Sequence, residues 1–114
     1  MRAFLLLSLS LLLPTQAAEL TARTLHLVGD STMSDKANLA YPERGWGQLL
    51  PQFLLPQLKV VNHAANGRST RRFLTEGRWQ LLLSELATGD YVLIQFGHND
   101  QKVDDPARFA AADS

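Results

Sequence analysis

The sequence predicts an α/β domain with a parallel sheet, because apolar segments of strand length alternate with segments of helical period. Three short apolar runs, over 24–28, 58–61 and 91–96, have the length of strands, and helical patterns lie between them. The composition is that of a globular protein: of 114 residues, 46% are hydrophobic and 19% are charged. This length suits one domain.

Charge and cysteine content exclude several classes of function. The sequence has 11 basic and 11 acidic residues, so its formal net charge is zero. Without a basic excess, neither a nucleic acid nor an anionic membrane is expected as a partner. The absence of cysteine excludes disulfides, thiolate zinc sites, iron–sulfur clusters and a cysteine nucleophile.

The N-terminal residues have the pattern of a secretory signal peptide. A basic residue is followed by an apolar run over 3–13 and by small residues suited to cleavage after Ala17 or Ala18. This run is shorter than the roughly 20 residues needed to span a membrane. The sequence therefore predicts a cleaved signal over 1–18, a mature domain over 19–114, and a periplasmic or secreted protein.

The first half of the predicted domain is a strand, a long polar loop and a helix. The strand over 24–28 stops at Gly29, and the polar loop over 31–44 has a length typical of functional or mobile loops. Apolar residues then recur with a helical period over 46–55. Because Pro51 lies inside this segment, we expect the helix to be short or kinked.

The second half supplies two further strands and a clearer helix. The strand over 58–61 is followed by a loop over 62–70 that contains an Asn-Gly turn signal. Residues 79–86 have apolar side chains at i, i+3, i+4 and i+7, which predicts an amphipathic helix. The strand over 91–96 is nearly all apolar, as expected if both its faces are covered. An Asp-Pro pair then predicts a helix over 107–112.

Polar clusters follow all three predicted strands. They are residues 29–32, 62–69 and 97–100. Taken singly, each is typical of an ordinary turn, but the carboxyl ends of parallel strands meet at one edge, where ligands bind. Ser31 is a candidate nucleophile there. The Gly67 N–H and the Asn99 side chain are candidate donors to an oxyanion.

Four segments resemble blocks of the GDSL/SGNH hydrolases. They are Gly29 to Met33, Gly45 to Gln48, Asn62 to Arg71 and Gly89 to Asp100. Within that superfamily they are most similar to rhamnogalacturonan acetylesterases, and the resemblance runs over residues 25–101. It implies a three-layer, flavodoxin-like parallel sheet with flanking helices, of which this chain holds about the first three strands.

The resemblance also implies an activity and the residues that perform it. It implies a serine esterase that removes O-acetyl groups from a plant cell-wall polysaccharide of the rhamnogalacturonan or pectin type, through an acetyl-serine intermediate. Ser31 is then the nucleophile, and the Ser31 N–H, the Gly67 N–H and the Asn99 side chain form the oxyanion hole. No metal ion or organic cofactor is implied, and the partner is an acetylated polysaccharide or oligosaccharide.

The sequence departs from the family at the general base. The family uses a histidine in a late Asp-x-x-His block, and the sequence contains no such block. We therefore expect the chain to be the N-terminal part of an acetylesterase, cut short, and inactive by itself. His98 and His63 are weaker candidates for the base, and they are more typical of loop hydrogen bonding. His26, inside the first strand, is expected in the core.

Several charged residues near the predicted edge have two interpretations. Asp30 and Asp100 either orient a histidine or cap backbone N–H groups, and capping is the commoner role. Arg68, Arg71 and Arg72 either bind substrate carboxylates or pair with acidic neighbours, and pairing is favoured.

The two tryptophans, Trp46 and Trp79, are either sugar platforms or core residues. Their places on apolar helix faces favour the core. Both helices are defined by the period of their apolar residues, so an inward-facing indole is the expected outcome.

Two other functions fit parts of the sequence. One is an SGNH lipase or thioesterase that acts on acyl chains. The other is a non-catalytic secreted module that binds a sugar or an anion at the strand ends. The Gly-Asp-Ser-Thr-Met and Gly-Arg-Ser-Thr-Arg segments favour the carbohydrate esterase, and the glycine spacing of a dinucleotide or P-loop site is absent.

Overall fold

The computed structural model describes residues 23–113, which contain one three-stranded parallel sheet. The strands are β1 (Thr24–Gly29), β2 (Lys59–Asn62) and β3 (Tyr91–Gln95), in the order β2–β1–β3. The helices are α1 (Trp46–Leu49), with a 3-10 turn at Leu50–Phe53, α2 (Thr70–Thr75) and α3 (Arg78–Glu85). The predicted α/β class is confirmed, and this order is that of the first three strands of a flavodoxin-like sheet. The predicted signal over 1–18 lies outside the described residues.

The two crossovers pack on opposite faces of β1, because successive side chains of a strand point to opposite sides. On one face, Leu25 and Leu27 pack against leucines that follow α1. On the other face, Val28 packs against Phe73 of α2 and Leu82 of α3. Strand β1 is therefore covered on both faces.

Backbone hydrogen bonds beyond the strand ends position the loops around the end of β1. The His63 N–H donates to the Leu27 carbonyl at 2.8 Å, and the Ala65 N–H donates to the Gly29 carbonyl at 3.1 Å. On the other side of β1, Gly29 pairs with Gln95 of β3. The loops after all three strands thus begin at one edge of the sheet, as predicted from the parallel arrangement.

The expectation that both faces of β3 are covered is wrong for the described residues. Leu93 and Ile94 are 44% and 59% exposed. Strand β3 is an edge strand in this sheet, and the helices pack over β1. The apolar composition of β3 therefore does not correspond to buried side chains.

The predicted helix over 107–112 does not form. Asp105 caps a turn as expected, since its carboxylate accepts a hydrogen bond from the Ala107 N–H at 3.1 Å. The Ala110 N–H, however, donates to the Asp100 carbonyl at 3.1 Å instead of continuing the turn. A hydrogen bond to the loop after β3 thus replaces the helical one.

The helices differ from their predictions in length and number. Helix α1 is short and passes into a 3-10 turn that contains Pro51, as the proline predicts. Helix α2 is not among the predicted helices; it begins after Ser69, whose hydroxyl accepts a hydrogen bond from the Arg72 N–H at 3.2 Å. No helix in residues 23–113 is long and apolar enough to cross a membrane.

Candidate active site

Ser31 lies in a turn directly after β1, and the buried Asp30 shapes this turn. One carboxylate oxygen of Asp30 accepts hydrogen bonds from the Thr32 N–H at 2.9 Å and the Thr32 hydroxyl at 2.8 Å. Asp100, after β3, accepts a hydrogen bond from the Thr70 N–H in the same way at 2.8 Å. The predicted capping role is therefore confirmed for both aspartates.

The ammonium group of Lys36 joins the Ser31 turn to the loop after β2. It donates to the Ser31 carbonyl at 2.5 Å, to the Ser34 hydroxyl at 3.2 Å and to the Asn66 side-chain carbonyl at 2.8 Å. The side chain is only 9% exposed. Sequence reasoning missed Lys36, because a lysine within a polar loop carries no local signal of burial.

Gly67 follows this link directly and adopts a conformation that favours glycine. Its φ is +73°, in the left-handed region, and no atom lies within 4 Å of the place where a Cβ would stand. The Asn-Gly turn signal in the sequence is therefore confirmed. The constraint on Gly67 is its backbone angle and not a lack of space.

Asn99 is buried beside the same loop. It is 2% exposed, and its Nδ2 donates to the carbonyl of Arg68 at 3.0 Å. Its Oδ1 accepts a hydrogen bond from Arg108 Nη1 at 3.4 Å. A side-chain amide carries two N–H donors, so one N–H of Asn99 is left for a ligand. Bonds through Lys36 and Asn99 thus link the segments that hold Ser31, Gly67 and Asn99.

Two backbone amides at this rim are not used by the fold. Within residues 23–113, neither the Ser31 N–H nor the Gly67 N–H has a hydrogen-bond acceptor, and the Ser31 hydroxyl has no hydrogen-bond partner. Most backbone N–H groups in folded proteins are paired. The rim therefore has three N–H groups, two from the backbone and one from Asn99, that no acceptor among the described residues uses.

The histidine candidates lie elsewhere. His98 is exposed and makes no hydrogen bond to another described residue. His26 is buried in β1, and its Nδ1 lies 3.0 Å from His63 Nε2, so its predicted core role is confirmed. Burial lowers the pKa of His63, with the nearby Glu85 carboxylate acting in the opposite direction and His26 lowering the pKa further. No histidine contacts Ser31 in the described part of the chain.

The arginines after the Asn-Gly turn are mostly held by one carboxylate. Glu76 forms ion pairs with Arg78, Arg68 and Arg72 at 2.7–3.0 Å. Hydrogen bonds from these guanidinium groups, Arg78 first, lower the pKa of Glu76 from 4.5 to about 2. Ion pairing is therefore confirmed for Arg68 and Arg72. Arg71 instead donates to a backbone carbonyl in the turns after β3.

Trp46 was expected in the core, but it lies at the rim and is partly exposed. It is 38% exposed, and its indole N–H donates to the Gln95 side chain at 2.5 Å, while its backbone N–H donates to the Thr32 carbonyl at 2.9 Å. The Gln95 amide also donates to the Thr32 hydroxyl at 2.9 Å. Trp79, by contrast, is partly buried against the core, as predicted.

The amino-acid sequence of this chain is similar to those of several named proteins. The chain is 50% identical over 76 residues to rhamnogalacturonan acetylesterase RhgT of Bacillus subtilis, covering 67% of this chain and 33% of RhgT. It is 40% identical over 100 residues to a rhamnogalacturonan acetylesterase of Emericella nidulans, covering 88% of this chain and 36% of that protein. This chain is related to the N-terminal part of the GDSL/SGNH hydrolases. It spans about a third of the length of these relatives.

A solved structure supports the same relationship. The crystal structure of the YxiM protein of Bacillus subtilis superposes with a TM-score of 0.65 at 34% identity, covering 70% of this chain and 23% of YxiM. No family model matches the chain. The comparisons therefore show an SGNH-like α/β fold and a relationship to the N-terminal part of proteins named as esterases, while the roles of Ser31, Gly67 and Asn99 remain predictions.

Proposed function

We propose that this chain carries the nucleophile and the oxyanion hole of a serine esterase that removes O-acetyl groups from a rhamnogalacturonan- or pectin-type polysaccharide. The observation that carries the proposal is that the Ser31 N–H, the Gly67 N–H and one N–H of Asn99 have no acceptor among the described residues, in loops that begin at one edge of the sheet. Oxyanion holes are built from donors of this kind. The relatives named as rhamnogalacturonan acetylesterases support the choice of substrate.

In the proposed reaction, Ser31 Oγ attacks the carbonyl carbon of the acetyl ester while a base removes its proton. The negative oxygen that forms accepts hydrogen bonds from the Ser31 N–H, the Gly67 N–H and Asn99 Nδ2. The sugar oxygen then leaves with the proton, and acetyl-serine remains. Water, deprotonated by the same base, attacks this ester and releases acetate. Each donor of such a hole is typically worth about 3 kcal/mol of barrier.

In this proposal, none of the three histidines of the sequence acts as the base. His63 Nε2 contacts His26 Nδ1, and His98 makes no contact with Ser31. We therefore expect residues 1–114 alone to hydrolyse esters poorly or not at all.

Two side chains near the rim suit a pectic substrate. The half-exposed indole of Trp46, held beside Thr32, offers an apolar face to a sugar ring. Arg71 lines an open groove together with Thr70 and Gly97, and it forms no ion pair among the described residues. Its guanidinium suits the carboxylate of a uronic acid.

A hybrid protein tests the function with a base present. In it, the matched N-terminal segment of RhgT is replaced by the corresponding residues of this chain. We expect the hybrid to release acetate from acetylated rhamnogalacturonan, and Ser31→Ala to abolish that release. Ser84→Ala is the matched control, because Ser84 is an exposed serine on α3. A cooperatively folded hybrid without activity, or one that keeps activity in Ser31→Ala, would refute the proposal.

Substrate class is tested on the same hybrid with two model esters. A carbohydrate acetylesterase should prefer acetyl over octanoyl esters, whereas a lipase or thioesterase should prefer the longer chain. A folded hybrid that a fluorophosphonate probe does not label would indicate a binding module.

The location is a separate proposal. We infer from the sequence pattern that residues 1–18 direct export and are removed. N-terminal sequencing of the exported protein should begin after Ala17 or Ala18, and an intact Met1 would contradict the proposal.

A further inference from the structure

Two histidines and a glutamate from three different elements meet on the α3 face of the sheet. His26 lies in β1, His63 follows β2 directly, and Glu85 is the last residue of α3. His26 Nδ1 is 3.0 Å from His63 Nε2, which is 3.6 Å from Glu85 Oε2. All three atoms lie within 4.8 Å of one another.

We propose that these three side chains, His26, His63 and Glu85, form a binding site for a divalent transition metal ion such as Zn²⁺. Imidazole nitrogen and carboxylate oxygen are ligands of this class of ion. At Zn–N distances of about 2.0–2.1 Å, two nitrogens of a tetrahedral site lie about 3.3 Å apart, close to the separation of the two imidazole nitrogens.

The metal would take the place of the proton between His26 Nδ1 and His63 Nε2, and this proton would move to His63 Nδ1, so that the His63 ring stays neutral. The ring centroids are 5.3 Å apart and the rings are inclined by 19°, so the 3.0 Å contact between their nitrogens joins facing edges. This is the geometry of an N–H···N hydrogen bond. On metal binding, each ring tilts until its lone pair points to the ion, and the nitrogens move apart by a few tenths of an ångström.

Asp90 prepares His26 for this role. Its Oδ2 lies 3.3 Å from His26 Nε2, and we assign the ring proton to Nε2 on this contact, so that the lone pair of Nδ1 faces the other ligands. The Thr24 N–H donates to Asp90 Oδ1 at 2.8 Å and the Ala87 N–H donates to Asp90 Oδ2 at 2.9 Å, so both oxygens of this carboxylate are held in place. A carboxylate behind a ligating histidine is the usual outer support of a metal site.

Charge and access also suit a cation. The side chains of His26 and His63 are 3% and 9% exposed, while that of Glu85 is 43% exposed. A histidine binds a metal ion through the lone pair of its neutral ring. Glu85 contributes a negative charge on the solvent side. Three protein ligands then leave one position for water.

A bound ion would join β1, the loop after β2 and the end of α3. That loop begins with His63 and continues to Gly67, so the ion would stabilise the segment that carries a rim donor. The site does not depend on the proposed esterase activity, because its ligands are held by their own contacts.

Zn²⁺ itself is the probe for the test. The full chain, first freed of metal with a chelator, is titrated with Zn²⁺ against a chromophoric competitor and melted with and without the ion. We expect one ion per chain, and a rise of Tm of about 10 °C at a hundredfold excess over Kd. Co²⁺ should give the visible absorption of a four- or five-coordinate site.

Variants assign the ligands. Glu85→Gln changes a partly exposed side chain and should weaken Zn²⁺ binding at least tenfold, and His63→Ala should abolish it. His98→Ala and Glu43→Gln are exposed controls that should bind as the unmodified chain does. No zinc-dependent shift of Tm, or unchanged affinity in folded Glu85→Gln, would overturn the proposal.

Discussion

The rim around Ser31 and the histidine cluster around His26 are both polar, but they use their hydrogen-bond donors differently. At the rim, the amides of Ser31 and Gly67 have no acceptor among the described residues. In the cluster, both ring nitrogens of His26 have partners. The cluster joins elements of the fold, whereas the rim leaves backbone donors unpaired among the described residues.

The difference follows from where the two regions lie. The two histidines of the cluster are nearly buried, at 3% and 9% exposure, and an unpaired polar group in such a place costs about 1–3 kcal/mol. The rim lies at the strand ends, where Ser31 and Gly67 are partly exposed and water satisfies their amides. An unused donor is therefore tolerated at the rim and not in the cluster. Four sets of variants test this difference between the rim and the cluster, and they are given from the largest expected effect to the smallest.

The largest effect is expected for Asn99→Ala in the hybrid with RhgT. Because one donor to the oxyanion is lost, kcat should fall by about 10²–10³. The change also removes the hydrogen bond to the Arg68 carbonyl and so lowers stability. Acetate release is therefore measured below the melting temperature of the variant. Gln101→Ala, an exposed change two residues away, should keep its activity. A kcat within a few-fold of the unmodified hybrid would contradict the role of Asn99.

Lys36→Met should have the next largest effect, on stability. Three acceptors lose a charged donor that is nearly buried, so the free energy of unfolding should fall by about 2 kcal/mol. Urea unfolding measures this. Lys59→Met, at an exposed lysine of β2, should change stability by less than about 0.5 kcal/mol. If both variants lose the same free energy of unfolding, the hydrogen bonds of Lys36 between the two loops contribute little to stability.

A comparison of Gly67→Ala with Gly77→Ala distinguishes the effect of backbone strain on stability from an effect on kcat. Their φ angles are +73° and +74°, and both have open space at the Cβ position, so each change should destabilise the protein by about 1 kcal/mol. Only Gly67→Ala should also lower kcat in the hybrid, because relief of strain moves its N–H. Matching losses of kcat in both variants would remove Gly67 from the oxyanion hole.

The smallest effect is the pH dependence from Glu76. Its pKa of about 2 in the folded state, against 4.5, means that it stabilises the fold above about pH 4.5 and loses this effect as the pH falls toward 2. Since the side chain is 27% exposed, solvent screening keeps the contribution below about 1 kcal/mol. Glu76→Gln should flatten acid unfolding in this range, whereas Glu43→Gln should not. Indistinguishable acid profiles would show that the arginines do not stabilise the charged carboxylate.

The strands were predictable because their signals are local. Apolar runs bounded by turn residues place β1 and β3 to within about one residue of their observed ends. Asn66-Gly67 predicted a turn because glycine accepts positive φ at little cost. The missed helix α2 has only a serine cap as its signal. The helix expected over 107–112 does not form, and the Ala110 N–H donates to the Asp100 carbonyl instead.

By itself, the sequence determined the α/β class, the strand positions and the three polar clusters, since these follow from side-chain periodicity and backbone preferences within short windows. Only the tertiary structure decided that Lys36 connects Ser31 to Asn66, that Trp46 lies at the rim, and that His26 and His63, 37 positions apart, share a contact with Glu85 nearby. Such contacts depend on how strands and helices pack. Packing brings together residues that are far apart in the sequence, and no short sequence window predicts which of them will meet.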